Sequence, residues 1–257
     1  MWRTFSLFLR AIASDRLSAG LLPSGLLSCG LALCMNAGMV LAQSSDVSVH
    51  LDVDRAPLHA PTAQGAAWLV QQGPVTPQAD KQTLEPQPRS YQLLQKGKEF
   101  HPHLLVVPVG SSIDFPNQDP FFHNVFSLFE GKRFDLGLYE AGSRRTVRFD
   151  REGVSYIFCN IHPEMGAVII SLRTPYYAIF GQDRTAVIHN VPDGEYILKV
   201  WSEDATAESL RAAERTIEVK AGRLESYSLH LSARPRSAST HKNKFGEDYP
   251  PQPTQTY

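Results

Sequence analysis

Four side chains that can bind a metal lie in two short segments of the chain. Cys159, His162 and Met165 share the segment Cys-Asn-Ile-His-Pro-Glu-Met, and His123 begins a His-Asn-Val triplet 36 residues before the cysteine. Together they offer one thiolate, two imidazoles and one thioether, the ligand set of a blue-copper electron-transfer centre with a weak axial methionine. A Cys-x-x-His pair alone would equally fit half of a zinc site. The complete set therefore predicts one type 1 copper ion bound by these four residues.

The ligand types indicate electron transfer rather than catalysis. A cysteine thiolate binds copper in both oxidation states, imidazoles satisfy Cu(II), and a thioether favours Cu(I). Pro163 stiffens the loop after His162, and the amide of Asn124 could tie the two ligand loops together. The acidic residues Asp119, Asp135 and Glu164 lie near the ligands in sequence but form no paired-carboxylate arrangement. We therefore predict no catalytic residues and no enzymatic activity.

Residues 1–42 have the pattern of a secretory signal peptide. A basic region with three arginines precedes an apolar run over residues 21–41 that Pro23 and several glycines interrupt. A retained membrane anchor is the alternative. Cleavage after Ala42 would leave Cys159 as the only cysteine, and an exported chain normally uses cysteines in disulfide pairs. A single thiol occupied by a metal agrees with a periplasmic copper protein that has no membrane span once processed.

Charge and composition restrict the partners. Without residues 1–42 the chain has 22 Lys and Arg against 25 Asp and Glu, a net charge of −3. This balance argues against a nucleic-acid partner. Four phenylalanines lie near His123 in sequence: Phe121, Phe122, Phe126 and Phe129. They could form an apolar docking surface for a redox partner such as a cytochrome or a dehydrogenase-like protein. Phe126 and Phe129 fit a position in the core better. The oligomeric state stays open.

Short alternating segments separated by Gly, Pro, Asn and Asp turns predict an all-β protein built from sandwiches. No segment shows a clear helical period. From residue 233 onward large aliphatic residues disappear, which predicts a disordered tail. The predicted strands are 46–53, 66–71, 91–94, 104–107, 112–115, 123–128, 146–149, 154–158, 167–172, 176–180, 185–189, 196–201, 215–219 and 226–231.

The ligand motifs resemble those of the cupredoxins. His123-Asn124-Val125 followed by Cys159-x-x-His162-Pro163-x-Met165 is similar to the amicyanin and plastocyanin-like branch, including proteins of the methylamine-utilisation type. The string Asp114-Phe115-Pro116-Asn117 adds to this likeness, which covers residues 90–174 well and residues 43–90 loosely. The resemblance implies a Greek-key β-sandwich in which His123, Cys159, His162 and Met165 bind copper.

The domain organisation predicted from these patterns has four parts. A signal peptide (1–42) precedes a cupredoxin-like copper domain (43–174), a smaller β-sandwich (175–232) and the tail (233–257). The Val-Pro-Asp-Gly-Glu-Tyr run at residues 191–196 makes the smaller sandwich similar to carboxypeptidase-regulatory-like modules. The predicted function is one-electron transfer between periplasmic partners. A copper carrier or storage protein and a non-redox structural or interaction module are the alternatives.

Overall fold

The computed structural model describes residues 44–54, 64–73, 87–128, 131–220, 222–234 and 241–249. The predicted signal peptide lies outside these residues. Within them the regular structure is seventeen β-strands and one short helix, so the all-β prediction is confirmed. No helix of the described part is long and apolar enough to cross a membrane.

The strands between residues 90 and 172 form one sandwich, called here the 90–172 sandwich. A five-stranded sheet has the order β6-β12-β11-β8-β9, a three-stranded sheet has the order β10-β7-β3, and β4 pairs with β5. The chain passes repeatedly from one sheet to the other, as in a Greek-key sandwich. The strands are β3 (Ser90–Gln92), β4 (Leu94–Lys96), β5 (Glu99–His101), β6 (Leu104–Pro108), β7 (Ser112–Pro116), β8 (His123–Ser127), β9 (Phe134–Tyr139), β10 (Arg144–Arg148), β11 (Gly153–Phe158) and β12 (Gly166–Leu172).

The core of this sandwich lies between its two sheets. Ile113 and Phe115 alternate on the inner face of β7, and Val125 and Ile157 face them from β8 and β11, all with no exposed surface. Burying an aliphatic or aromatic side chain of this size contributes about 1.5–3 kcal/mol. Cys159 belongs to the same buried cluster. The Cys159 thiol therefore belongs to a packed core.

A second sandwich combines the N-terminal strands with the C-terminal ones and is called here the composite sandwich. Its two sheets have the orders β14-β1-β17 and β13-β2-β15-β16. A seven-residue helix, α1 (Ala207–Ala213), begins after the Thr206 side chain accepts a hydrogen bond from the Ser209 amide. The strands are β1 (Ser44–Val53), β2 (Gly65–Gln71), β13 (Tyr177–Ile179), β14 (Thr185–Pro192), β15 (Gly194–Ser202), β16 (Arg215–Val219) and β17 (Leu224–Leu231).

The pairing of β1 and β2 corrects the predicted domain boundaries. Both strands were expected in the copper domain, yet β1 pairs with β14 and β17, and β2 pairs with β13 and β15. Val49, for example, lies opposite Ala186 on one side and Tyr227 on the other. Alternating hydrophobicity predicts that a strand exists but not which strand it pairs with. The smaller sandwich therefore needs residues from both ends of the chain.

An apolar layer joins the two sandwiches. Trp68 and Trp201 project from β2 and β15 toward the outer face of β12, where Val168 and Ile170 are buried. The Trp201 indole also donates a hydrogen bond to the Tyr156 hydroxyl at 3.3 Å. Because β12 is covered on both faces, all but one of its seven residues are buried. The two sandwiches thus share an interface that resembles a core.

The predicted disordered tail is wrong for residues 241–249, called here the C-terminal segment. This segment packs on the 90–172 sandwich, where the His241 ring stacks on Phe158 at a centroid distance of 4.3 Å. Residues 233 and 234 are also described, and Ala233 forms a β-bridge with Ala205. The composition of the tail as a whole is polar, but His241 and Tyr249 supply aromatic anchors that an average over 25 residues hides.

Candidate metal centre

The fold brings three of the four predicted ligands together at one end of the 90–172 sandwich. His123 is the first residue of β8, and Cys159 directly follows the neighbouring strand β11. The sulfur of Cys159 lies 3.6 Å from Nδ1 of His123 and 3.5 Å from Nδ1 of His162. All three donor atoms lie within 4.8 Å of one another, and no other such group of metal-ligating side chains occurs among the described residues.

These distances fit a metal ion held by all three side chains. A metal about 2.3 Å from a sulfur and about 2.0 Å from a nitrogen, with an angle near 115°, separates the two donors by about 3.6 Å. The observed separations of 3.6 Å and 3.5 Å match this value. The donor chemistry, one thiol and two imidazoles, suits copper or zinc.

Met165 lies at the other end of the same loop. Its side chain is 1 % exposed and belongs to the buried cluster that contains Cys159. Its amide donates to the His162 carbonyl at 3.1 Å, and its carbonyl accepts from the Cys159 amide at 3.2 Å. These two bonds close the loop on itself between β11 and β12.

Burial shapes the acid–base properties of the ligands. Burial raises the pKa of the Cys159 thiol, while the backbone N–H groups of Asn124, Ile161 and His162 oppose this shift. Burial and then the nearby charges of His123 and Lys98 lower the pKa of His162 to about 4. Without metal the thiol is therefore protonated at neutral pH and the His162 imidazole is neutral. Metal binding would release the thiol proton.

A buried carboxylate orients His123. Oδ2 of Asp119 lies 2.8 Å from Nε2 of His123, and the two side chains are 7 % and 0 % exposed. The carboxylate accepts a hydrogen bond only when Nε2 carries the proton, which leaves the lone pair of Nδ1 facing the Cys159 sulfur. Such carboxylate–histidine pairs fix the tautomer of metal ligands and raise their basicity.

The turn between β4 and β5 holds Asp119 in place. The backbone N–H groups of Gly97 and Lys98 donate to the carboxylate at 2.6 and 2.9 Å, and both residues have left-handed backbone with φ of 68° and 62°. Burial raises the pKa of Asp119, but the hydrogen bonds from Lys98, His123 and Gly97 outweigh it and lower the pKa overall. The sequence showed only an acidic residue four positions before His123.

Asn117, rather than Asn124, organises the histidine loop through its side chain. Its amide nitrogen donates to the Phe121 carbonyl at 2.8 Å, and its oxygen accepts from the Asp119 amide at 3.0 Å. The Asn124 side chain instead donates to Asp135 on β9 at 2.7 Å. A bridge by the Asn124 side-chain amide between the two ligand loops is therefore wrong, whereas the backbone N–H of Asn124 faces the Cys159 thiol.

The surface around His162 is partly apolar. The Phe121 ring lies 5.2 Å from the His123 ring and 5.5 Å from the His162 ring. Phe122 and Ile161 are 55 % and 36 % exposed. Phe126 is buried in the sheet, as predicted, and Phe129 lies outside the described residues.

Comparisons with known proteins find solved structures that match part of the chain. No family model and no curated protein matches the chain. A purple cupredoxin from Nitrosopumilus maritimus is 26 % identical, with 32 % of this chain and 99 % of that chain covered at a TM-score of 0.30. A Cu-containing nitrite reductase from Thermus scotoductus SA-01 is 27 % identical, with 39 % and 25 % covered at 0.31, so the match spans a quarter of that enzyme.

Amicyanin from Paracoccus versutus is also similar, at 17 % identity with 32 % of this chain and 81 % of that chain covered and a TM-score of 0.30. Each match covers two fifths of the chain or less. The likeness of residues 175–232 to carboxypeptidase-regulatory-like modules stays a prediction.

Proposed function

We propose that this chain is an exported type 1 copper protein of the cupredoxin family that transfers single electrons between protein partners in the periplasm. The observation that carries this proposal is the placement of the Cys159 sulfur within 3.6 Å of the Nδ1 atoms of His123 and His162. Met165, which is buried on the same loop, is the proposed fourth donor. Among the described residues, His123, Cys159 and His162 form the one group that could hold a metal ion.

His123, Cys159 and His162 would hold the ion, with Met165 as the weak fourth ligand. Copper bound there would supply a one-electron couple between Cu(II) and Cu(I). The protein contributes a donor set that is already assembled. Asp119 orients His123, and the sheet core surrounds Cys159. Ligands that are fixed before binding move little when the charge of the ion changes, which favours fast electron transfer.

His162 and the apolar residues beside it are the proposed point of electron entry and exit. His162 is partly exposed, whereas His123 and Cys159 have no exposed surface. Phe122 and Ile161 present apolar surface next to the ligand-bearing loops. A cytochrome or a dehydrogenase-like protein that docks there would approach the ion through the His162 ring. This role needs no substrate site, and we propose that the protein is not an enzyme.

Burial of the ligands favours electron transfer over copper delivery. A copper carrier must pass its ion to a partner by ligand exchange, which requires accessible donor atoms. Here Cys159 is 0 % and Met165 is 1 % exposed. Export through residues 1–42 would place the protein in an oxidising compartment, where a metal would protect the thiol of Cys159.

The proposal is tested by adding one equivalent of Cu(II) to the metal-free protein and recording the visible spectrum and a cyclic voltammogram. We expect an intense thiolate-to-copper band near ~600 nm and a reversible one-electron wave. The Cys159→Ser variant should keep its β-sheet circular dichroism and lose the band. Tight binding without colour or reversible redox would instead support a copper carrier, and absence of stoichiometric binding would overturn both assignments.

A further inference from the structure

The C-terminal segment forms hydrogen bonds with the loop that carries three of the proposed ligands. The Tyr249 hydroxyl donates to the carbonyl of Cys159 at 2.8 Å. The Lys244 amide donates to the side-chain oxygen of Asn160 at 2.9 Å, and the His241 amide donates to the carbonyl of Pro163 at 3.3 Å. These three bonds reach successive parts of the loop, from its first residue to the residue after His162.

The same segment packs against the two strands that present His123 and Cys159. The His241 ring is stacked on Phe158, the residue before Cys159, with an interplanar angle of 26°. It also meets the ring of Phe126 edge-on at 6.1 Å, and Phe126 is the partner of Phe158 across β8 and β11. Tyr249 packs edge-on against His241 at 5.4 Å. The rings of the segment thus cover the strand pair next to the ligands.

An ion pair extends these contacts to the histidine side of the site. Nζ of Lys244 lies 2.7 Å from Oδ2 of Asp135. The other oxygen of Asp135 accepts a hydrogen bond from the side chain of Asn124, the residue after His123. Lys244 is 27 % and Asp135 is 36 % exposed. Through this chain of contacts one short segment touches both ligand-bearing parts of the fold.

We propose that the C-terminal segment is a positioning element of the metal centre, which holds the 159–165 loop in its ligand-binding conformation and shields the Cys159 end of that loop from water. Within the loop, only the two bonds between Cys159, His162 and Met165 close the backbone. Ordering the segment costs conformational entropy, so its contacts with the loop and the two strands must offset that cost. The copper consequences rest on the proposed function, whereas the effect on the loop does not.

The first arm of the test uses metal-free protein, so that it stands apart from copper binding. The rate of iodoacetamide alkylation at Cys159 is followed by peptide mass spectrometry in the wild-type chain, in Tyr249→Phe and in a chain that ends at Arg234. Local opening of the loop controls this rate for a buried thiol. We expect about a fivefold increase for Tyr249→Phe, which loses one hydrogen bond, and a larger increase for the shortened chain.

Matched controls separate positioning from general destabilisation. Tyr227→Phe removes a hydroxyl from the composite sandwich, and Asp248→Asn changes an exposed side chain of the segment. Both should alkylate at the wild-type rate, and Lys244→Arg should preserve the pair with Asp135. Urea unfolding of each variant checks that the β-sandwich remains folded. An alkylation rate in the shortened chain within about twofold of wild type overturns the proposal.

The second arm uses copper-loaded protein and measures the reduction potential. Water that reaches the Cys159 end of the loop stabilises the more highly charged oxidised site, so the shortened chain should have a lower potential and should lose Cu(I) to a chelator faster. If the shortened chain has the wild-type potential and chelation rate, the positioning role of the segment is contradicted even when the wild-type site is blue. If the wild-type chain binds no copper, the proposed function fails while the alkylation arm still decides the role of the segment.

Discussion

Asp119 connects the histidine ligand to the backbone of a neighbouring turn. Its carboxylate accepts hydrogen bonds from Nε2–H of His123 and from the backbone N–H groups of Gly97 and Lys98, and Asp119 itself is 6 % exposed. In the proposed copper site, a negative charge at this place would stabilise Cu(II) more than Cu(I). It would act on the ion through the imidazole of His123 without touching the ion itself.

The variant Asp119→Asn should keep an acceptor for His123 but lose this charge. We expect Cu(II) affinity to fall by about 10–100-fold and the reduction potential to rise. Competitive chelator titration and voltammetry measure the two effects. Asp114→Asn on the half-exposed face of β7 is the matched control, because Asp114 bonds to Thr146 and not to a ligand. If Asp119→Asn and Asp114→Asn have the same reduction potential, Asp119 does not influence the potential of the site.

Substitution of Met165 should change the reduction potential in the opposite direction. Substitution by Gln replaces a soft thioether with an amide oxygen, which favours Cu(II) over Cu(I). Met165→Gln should therefore keep the thiolate band, since Cys159 is unchanged, and should lower the reduction potential. Voltammetry and the visible spectrum of the copper-loaded variant test this. If the potential does not move, Met165 is a core residue and not a ligand.

At the scale of single elements, the loop after β11 and the C-terminal segment both contain histidines that burial keeps neutral. Burial is the main cause that lowers the pKa of His162 from 6.5 to about 4, and it also lowers the pKa of His241. The unfolded chain binds these protons at higher pH than the folded chain does. The free energy of unfolding of the metal-free protein should therefore fall as the pH drops from 6.5 toward about 4. Below that pH, protonation of His162 should lower it no further.

Urea unfolding of the metal-free protein at pH 7, 5.5 and 4 measures this dependence. His162→Gln should give a flatter profile than wild type across that window, and His50→Gln, on the exposed face of β1, should not. Asp119 and Asp135 have lowered pKa values, so their contribution is lost only below the ordinary aspartate pKa of 3.8. A slope in His162→Gln as steep as in wild type would show that other groups control it.

The strands and the helix also show how much of the fold could be predicted from the sequence. Strands such as β1, β7 and β11 were predicted within a few residues, because their side chains alternate between a buried and an outer face. Strand β9 was missed, since Gly137 with a φ of 67° interrupts its pattern. Helix α1 was missed because seven residues are too few to show a helical period, although Thr206 is a typical capping residue.

The candidate site was predicted more completely than its surroundings. The spacing of His123, Cys159 and His162 pointed to a cluster, and the structure brings their donor atoms together. Asp119 and the C-terminal segment could not be found in the same way. Their roles depend on a turn 21 residues before the carboxylate in sequence and on a segment about 85 residues after the cysteine. Long-range packing, which leaves no local pattern, determines both.

On the scale of the whole molecule, we expect the apolar layer between the sandwiches to make them unfold together. Trp201 is 3 % exposed and lies in this layer between β15 and the outer face of β12. Trp201→Ala should lower the free energy of unfolding by about 3–5 kcal/mol, because a large buried side chain is replaced by a cavity. Leu224→Ala, at a position 65 % exposed, should change it by less than about 0.5 kcal/mol.

Urea unfolding followed by both tryptophan fluorescence and far-ultraviolet circular dichroism tests this prediction. A single transition at the same urea concentration for both probes is expected, with its midpoint lowered in Trp201→Ala. Because β1 and β2 pair with C-terminal strands, a chain cut near residue 174 should not fold stably in the same assay. Two separate transitions in the intact chain would show that the sandwiches are independent.

The central claim is that His123, Cys159 and His162 bind one copper ion in a site that changes little between oxidation states. Copper K-edge X-ray absorption of the loaded protein, as Cu(II) and as Cu(I), tests it most directly. We expect one short sulfur neighbour at about 2.2–2.3 Å and two nitrogen neighbours at about 2.0 Å, with changes of about 0.1 Å or less on reduction. A copper environment of nitrogen and oxygen alone, or a set of neighbours that is rebuilt on reduction, would contradict this account.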